Sequence, residues 1–290
     1  MNLMEYEWVK FELASILRSA TIGVSAEQPK TAPIFNDLFA RLAEDRFNLV
    51  LVGRFNRGKT SLMNAMLHTD RLPVGVVPVT SVITTVQYGS SEEATIEYRD
   101  RQLPDRVSLD ELTDYVSQAG NPSNERGITM ARVSLPSEFL RHGFYLVDTP
   151  GIGASITENA RTTEAFLPEA DAAMLVTSYD SPLCEEELRL LDRLESSARR
   201  VFIVINKFDT VSVEERNVAL EYVQNQVTRA FGGERIEVFS VSARLALEAN
   251  RSNDMTGGWV ESGLAAFEER LVRFLLQEKQ TEFLYGMCKR

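Results

Sequence analysis

The sequence predicts an α/β fold: a mainly parallel sheet with helices on both faces, and further helices flanking it at the N- and C-termini. Three observations carry this. Short apolar runs alternate with segments of helical period between residues 47 and about 245. A glycine-bounded loop joins the first of those runs to a helix. Several later runs end in short polar motifs, where strands of open α/β sheets meet their ligands.

In the first 46 residues, Val9, Leu13, Ile16 and Leu17 recur at helical spacing, and so do Phe35, Leu38, Phe39 and Leu42. Pro29 and Pro33 break the stretch between them into a loop. Residues 47–52 are a continuous apolar run ending at Gly53, as expected of a buried parallel strand. A helix follows from Lys59 to about Leu67. Residues 82–88 and 94–99 read as strands. Ser108 and Glu111 have capping-box spacing ahead of a short helix. Residues 121–125 form a loop. Strands are expected at 128–135, 144–147, 172–176, 201–205 and 236–239. Helices are expected at 185–197 and 213–231, the second opening at the capping box Ser212/Glu215 and stopping at Gly232-Gly233. Leu264, Phe267, Leu271, Phe274 and Leu275 mark the apolar stripe of a last helix reaching about Leu284.

Composition narrows the function classes. The 290 residues suit one large domain with an accessory piece, and 44% hydrophobic with 25% charged content is ordinary for a globular chain. A net charge of −11 argues against nucleic acid as a partner and against this chain coating an anionic membrane by itself. The cysteines, Cys184 and Cys288, offer no disulfide framework, and His68 and His142 are too few for a zinc site or a histidine triad. No apolar run reaches the roughly 18–20 residues of a membrane span, and the N-terminus lacks the pattern of a secretory signal. A cytoplasmic location is expected.

Gly53-Arg-Phe-Asn-Arg-Gly-Lys-Thr60 matches the phosphate-loop pattern, follows a strand and opens a helix. This makes the expected fold of the P-loop NTPase type. Gly53 and Gly58 let backbone N–H groups face inward, and the helix N-terminus adds positive partial charge. Phe55, Asn56, Arg57 and Ser61 complete the expected phosphate-side set. Lys59 reaches the outer phosphates, and the Thr60 hydroxyl would ligate Mg²⁺.

Asn206-Lys-Phe-Asp209 ends another expected strand. Asp209 there can accept from guanine N1–H and its exocyclic amine, whereas adenine would leave the carboxylate unpaired. Asn206 and Lys207 belong to the same segment. Asp148-Thr-Pro-Gly151 places a carboxylate toward Mg²⁺ through water and the Gly151 N–H toward a γ-phosphate. Ser242, Ala243 and Arg244 either line the base pocket or simply cap a helix at Ser242, and both can hold. The order of these four segments predicts a chain that binds GTP and GDP and hydrolyses GTP.

The stretch between Thr60 and Asp148 is longer than a minimal Ras-like domain needs, so the fold is expanded between the first switch and the Asp148 motif. Pro78-Val-Thr80, the run from Gly53 to Leu67, and Leu146-Val-Asp-Thr-Pro-Gly-Ile-Gly153 each resemble their own segment of the dynamin-related GTPases. The chain resembles the GTPase part of a bacterial dynamin-like protein, specifically over about 47–245 and loosely in the flanking helices. That resemblance implies N-terminal helices over 1–46 as an element of a helical bundle, a dynamin-type GTPase domain over 47–250, and a C-terminal helix over 259–290 leading to a bundle or stalk.

The resemblance further implies that Thr80 gives Mg²⁺ a second protein oxygen and holds the attacking water. Switch segments at about 72–81 and 151–163 would order around the γ-phosphate. GTP-dependent homodimerisation would cross the nucleotide face, and membrane remodelling would run through regions outside this chain. A monovalent cation and a second dynamin-like paralogue stay open as cofactor and partner. Eukaryotic dynamins keep a water-orienting glutamine and a cation-holding serine where this loop has Phe55 and Asn56. Phe55 cannot orient water by hydrogen bonding. Arg57 is therefore expected to supply transition-state charge, with pairing to a surface carboxylate as the other reading. Two alternatives share the motifs: a GTPase of ribosome or RNA assembly, and a weakly hydrolysing, nucleotide-gated interaction switch.

Overall fold

A computed structural model describes residues 8–9, 11–19, 38–40, 42, 46–74, 82–101, 103–151, 163, 166–197, 200–252, 254 and 257–278. Among the described residues, nine strands form one sheet: β1 (Phe47–Val52), β2 (Ile83–Tyr88), β3 (Glu93–Tyr98), β4 (Asp105–Val107), β5 (Ile128–Leu135), β6 (Phe144–Asp148), β7 (Ala172–Ser178), β8 (Val201–Asn206) and β9 (Val238–Ser240). Their order is β4-β3-β5-β2-β6-β1-β7-β8-β9. The pairs β1–β7, β7–β8 and β8–β9 are parallel, as the alternation of runs and helices predicts. Every residue of β1, β7 and β8 is buried, the signature of strands covered on both faces.

The expansion before Asp148 builds the other edge. There β2 pairs parallel with β5 and antiparallel with β6, while β3 runs antiparallel to both β4 and β5. The short β4 is missed by sequence reading because three residues show no period. The last strand starts two residues later than expected and ends one later. Only half of the expected Ser108/Glu111 capping box forms: the Ser108 amide donates to Glu111 Oε2 at 3.1 Å, but the Ser108 hydroxyl donates to the same oxygen and the Glu111 amide bonds the Ser108 carbonyl, closing a turn. The helix α2 (Leu112–Val116) starts beyond it.

Six further helices complete the described core: α1 (Lys59–Met66), α3 (Glu185–Ser197), α4 (Val213–Ala230), α5 (Ala243–Ser252), α6 (Gly258–Glu261) and α7 (Leu264–Gln277). Leu190, Leu191 and Leu194 of α3 and Val223 and Val227 of α4 bury against Leu175, Ile203 and Ile205 of the sheet. Burial of each such side chain contributes about 1.5–3 kcal/mol. On α7, Phe267 packs edge-on against Phe202 and Phe239. The chain divides into two compact units, residues 48–269 and residues 1–47 with 270–290. Within the second, residues 8–9, 11–19, 38–40 and 42 are helical, and Phe47 meets Phe274 with ring centroids 5.6 Å apart. Among the described residues, no helix is long and apolar enough to cross a membrane.

The Ser212/Glu215 capping box is complete: the Glu215 amide donates to Ser212 Oγ at 3.3 Å, and the Ser212 amide donates to Glu215 Oε2 at 2.8 Å. Ser212→Ala should lower stability by about 1 kcal/mol. The measurement is urea unfolding, with the midpoint falling and the slope unchanged.

Candidate functional site

Four neighbouring strands, β6, β1, β7 and β8, deliver their carboxyl ends to one place. The loop after β1 holds the phosphate-loop residues. Gly53 has φ 148°, and a Cβ there would lie 2.2 Å from the Val176 carbonyl oxygen, so only glycine fits against β7. Gly58 has φ 82°, and a Cβ there would meet the Asn206 amide nitrogen at 2.4 Å. Between them Asn56, exposed, takes the left-handed conformation at φ 63°, which asparagine tolerates best after glycine. Phe55 is half-buried, and its Cα would lie 2.6 Å from a Cβ on Gly151. The Asp148 motif thus rests backbone to backbone on the phosphate loop.

Lys59 begins α1, with Ser61 in the same first turn. The Lys59 ammonium is buried and donates to the carbonyls of Gly53 at 3.1 Å and Arg54 at 3.4 Å. Burial pushes its pKa below the ordinary lysine value, with the charges of Asp148 and Glu187 opposing that shift. A cation curled back over its own loop is placed to receive an anion. The Thr60 hydroxyl donates to Asp148 Oδ2 at 2.6 Å. A hydroxyl and a buried carboxylate in contact form a hard-oxygen donor set, which suits Mg²⁺ with water filling the remaining positions. Thr149 anchors the same motif by donating to the Leu51 carbonyl of β1 at 2.8 Å. Thr80, with residues 75–81 and 152–162 of the expected switches, lies outside the described residues.

On the other side of the loop, Asn206 ties three segments together. Its Nδ2 donates to the Arg57 carbonyl at 2.9 Å, and its Oδ1 accepts from the Lys207 amide at 2.8 Å and the Ala243 amide at 3.0 Å. Lys207 itself is held at φ 65°. Its ammonium lies 3.8 Å from Asp180. Asp209 Oδ2 accepts from Arg244 Nε at 2.9 Å. Burial raises the Asp209 pKa, but hydrogen bonds from Ser242 and Arg244 outweigh it and hold the carboxyl below its usual range, so it stays ionised at neutral pH. Ser242 also caps α5, accepting from the Leu245 amide at 3.1 Å. The capping reading of Ser242 is thus the one the contacts show, and its side chain also bonds Asp209. The Ala243 amide is engaged by Asn206.

Arg57 is the site residue whose place differs from expectation. Its guanidinium is buried and bonds inward: Nε to Glu187 Oε1 at 2.8 Å, Nη1 to Ser178 Oγ at 2.9 Å, and Nη2 to the Ser181 carbonyl at 2.8 Å and Glu187 Oε2 at 3.3 Å. Burial lowers its pKa, and the hydrogen bond and charge of Glu187 more than offset this. The carboxylate it pairs with is in the core, not on the surface, and the guanidinium expected to act as a finger is committed to Glu187, Ser178 and Ser181. Breaking such a pair by removing one partner costs about 3–5 kcal/mol, because the other charge is left buried and alone. Glu187 is the residue that sequence reasoning missed. It reads there only as one of three glutamates in the first turn of a helix.

A family model, the dynamin family, matches residues 49–208. The chain is 32% identical over 284 residues to an uncharacterized protein in the xynA 3' region of Caldicellulosiruptor sp., covering 96% of this chain and 69% of that one. It is 31% identical over 230 residues to a probable transmembrane GTPase, FZO-like and chloroplastic, of Arabidopsis thaliana, covering 77% of this chain and 22% of that one. Among solved structures, an oligomerised bacterial dynamin pair, described as a mechanism for long-range sensing and tethering of membranes, superposes with TM-score 0.69 at 19% identity. That match covers all of this chain and 55% of the other. The fold is thus shared with a bacterial dynamin, while the chain spans little more than half of that molecule. With half of its length matched by the family model and a phosphate loop at the head of that match, the chain belongs to the dynamin family and is a GTPase.

Proposed function

We propose that the chain is the catalytic part of a dynamin-like mechanochemical GTPase, binding GTP between the phosphate loop and Asp209 and hydrolysing it with Mg²⁺. The observation that carries this is the convergence of Lys59, the Thr60–Asp148 pair and Asp209 on four adjacent strand ends. In this reading the amides of residues 53–61 cradle the β- and γ-phosphates, and Lys59 exchanges its loop carbonyls for phosphate oxygens. Thr60 and Asp148 hold Mg²⁺, the latter through water, and the ion when bound neutralises charge on the phosphates. The Gly151 amide faces the γ-phosphate, and Thr80 positions the attacking water. Asp209 reads guanine, with Arg244 moving off it or sharing it. Phe55 cannot orient water from the position where the family keeps a glutamine, so a second copy of the chain across the nucleotide face completes the site. Residues 1–46 and 259–290 carry nucleotide state into a bundle, and the full-length protein remodels membrane.

Three outcomes test this. Asp209→Asn should weaken GTP binding on the order of 10–100-fold and favour xanthosine triphosphate, whose C2 carbonyl can accept from the new amide. Isothermal titration with both nucleotides reads the reversal. Chelating Mg²⁺, or Thr60→Ala, should abolish turnover while leaving GDP binding measurable. Specific activity should rise with protein concentration. A low rate that stays flat over the range would instead assign the chain as a nucleotide-gated switch.

A further inference from the structure

Glu187 is fully buried, and both of its oxygens are engaged. Oε1 accepts from Arg57 Nε at 2.8 Å and from the Arg54 backbone amide at 3.3 Å. Oε2 accepts from the Thr177 hydroxyl at 3.0 Å, the Cys184 amide at 3.2 Å and Arg57 Nη2 at 3.3 Å. The donors fall into two groups. Arg54 and Arg57 belong to the phosphate loop, while Thr177 and Cys184 belong to β7 and the start of α3. The carboxylate therefore clamps the loop to the neighbouring strand. Arg57 doubles the clamp through Ser178 Oγ and the Ser181 carbonyl.

A buried ion pair is a poor means of gaining stability, since apolar residues of the same volume usually do as well or better. Its distinctive property is direction. The planar guanidinium meets a carboxylate in a fixed fork, so the pair sets orientation as well as distance. The phosphate loop needs that. It is bounded by two glycines at positive φ and carries Asn56 in the left-handed region, so its own backbone preferences select no single shape. Glu187 holds one backbone amide of the loop and the side chain three residues on.

We propose that Glu187 is a positioning residue for the GTPase site: acting through Arg57 and the Arg54 amide, it holds the phosphate loop in the shape that receives the nucleotide's phosphates. This rests on the reading that residues 53–61 bind those phosphates.

The test measures GDP affinity by titration calorimetry, kcat and KM for GTP, and the melting temperature without nucleotide. It compares the unmodified chain, Glu187→Gln, and a double variant with Arg57→Met and Glu187→Met. Glu187→Gln should weaken GDP on the order of 10–100-fold, as expected when one charge-assisted hydrogen bond from the loop to a phosphate oxygen is lost. The double variant leaves no unpaired charge. Its melting temperature should recover toward that of the unmodified chain while its GDP affinity stays low, a split that a purely structural pair would not produce. If Glu187→Gln unfolds the chain, the double variant still decides. Unmodified GDP affinity and kcat/KM in a folded variant would overturn the proposal, as would a double variant that regains both stability and affinity. Absence of GDP binding by the unmodified chain would instead overturn the nucleotide reading beneath it.

Discussion

One side-chain amide holds the site together. Asn206 ends β8, donates to the Arg57 carbonyl and accepts from the Lys207 and Ala243 amides, so it touches the phosphate loop, the Lys207–Asp209 segment and the start of α5 at once. An amide side chain can do this because it carries both donors and acceptors on one rigid plane. An aspartate could not donate to the Arg57 carbonyl, and a lysine could not accept from the two amides. The tight fit of Gly58 against the Asn206 nitrogen follows from the same contact. Without it, β8 and β1 would still end near each other, but their loops would have no common reference.

The two halves of the site are built differently. The side proposed to read the base is a chain of neutral hydrogen bonds around Asn206 with one ionised carboxylate, Asp209, paired to the exposed Arg244. The phosphate side is built from charge in the interior: Lys59 desolvated and curled onto loop carbonyls, Asp148 against Thr60, and Arg57 locked to Glu187. Buried charges of both signs so close together attract one another strongly, because little water screens them. They also make the phosphate side intolerant of losing a single partner; Arg244 is itself exposed, but the Asp209 carboxylate it bonds is only 9% exposed and keeps Ser242 as a second donor.

Much of this was legible in the sequence because it is local. Gly53, Gly58 and Lys59 announce a strand–loop–helix turn by spacing alone, and Ser212 with Glu215 announces a helix start. Continuous apolar runs locate β1, β7 and β8 because both of their faces are covered. What was not legible depends on contacts between segments far apart in the chain. Arg57 reads as an available charge until β7 and α3 are placed beside it, 130 residues further along the chain in the case of Glu187. Ser108 and Glu111 have the right spacing for a cap, yet the local turn uses the hydroxyl as a donor. The short β4 leaves no pattern, and it forms because β3 offers it an edge.

The backbone contact between Gly151 and Phe55 has a thermodynamic consequence. Where two main chains already touch, the ligand has nothing to organise. The entropy of ordering those residues is lost once, during folding, and does not recur at each binding event. A nucleotide arriving at this corner meets a surface that has finished condensing, so none of its binding free energy goes to ordering Gly151 against Phe55.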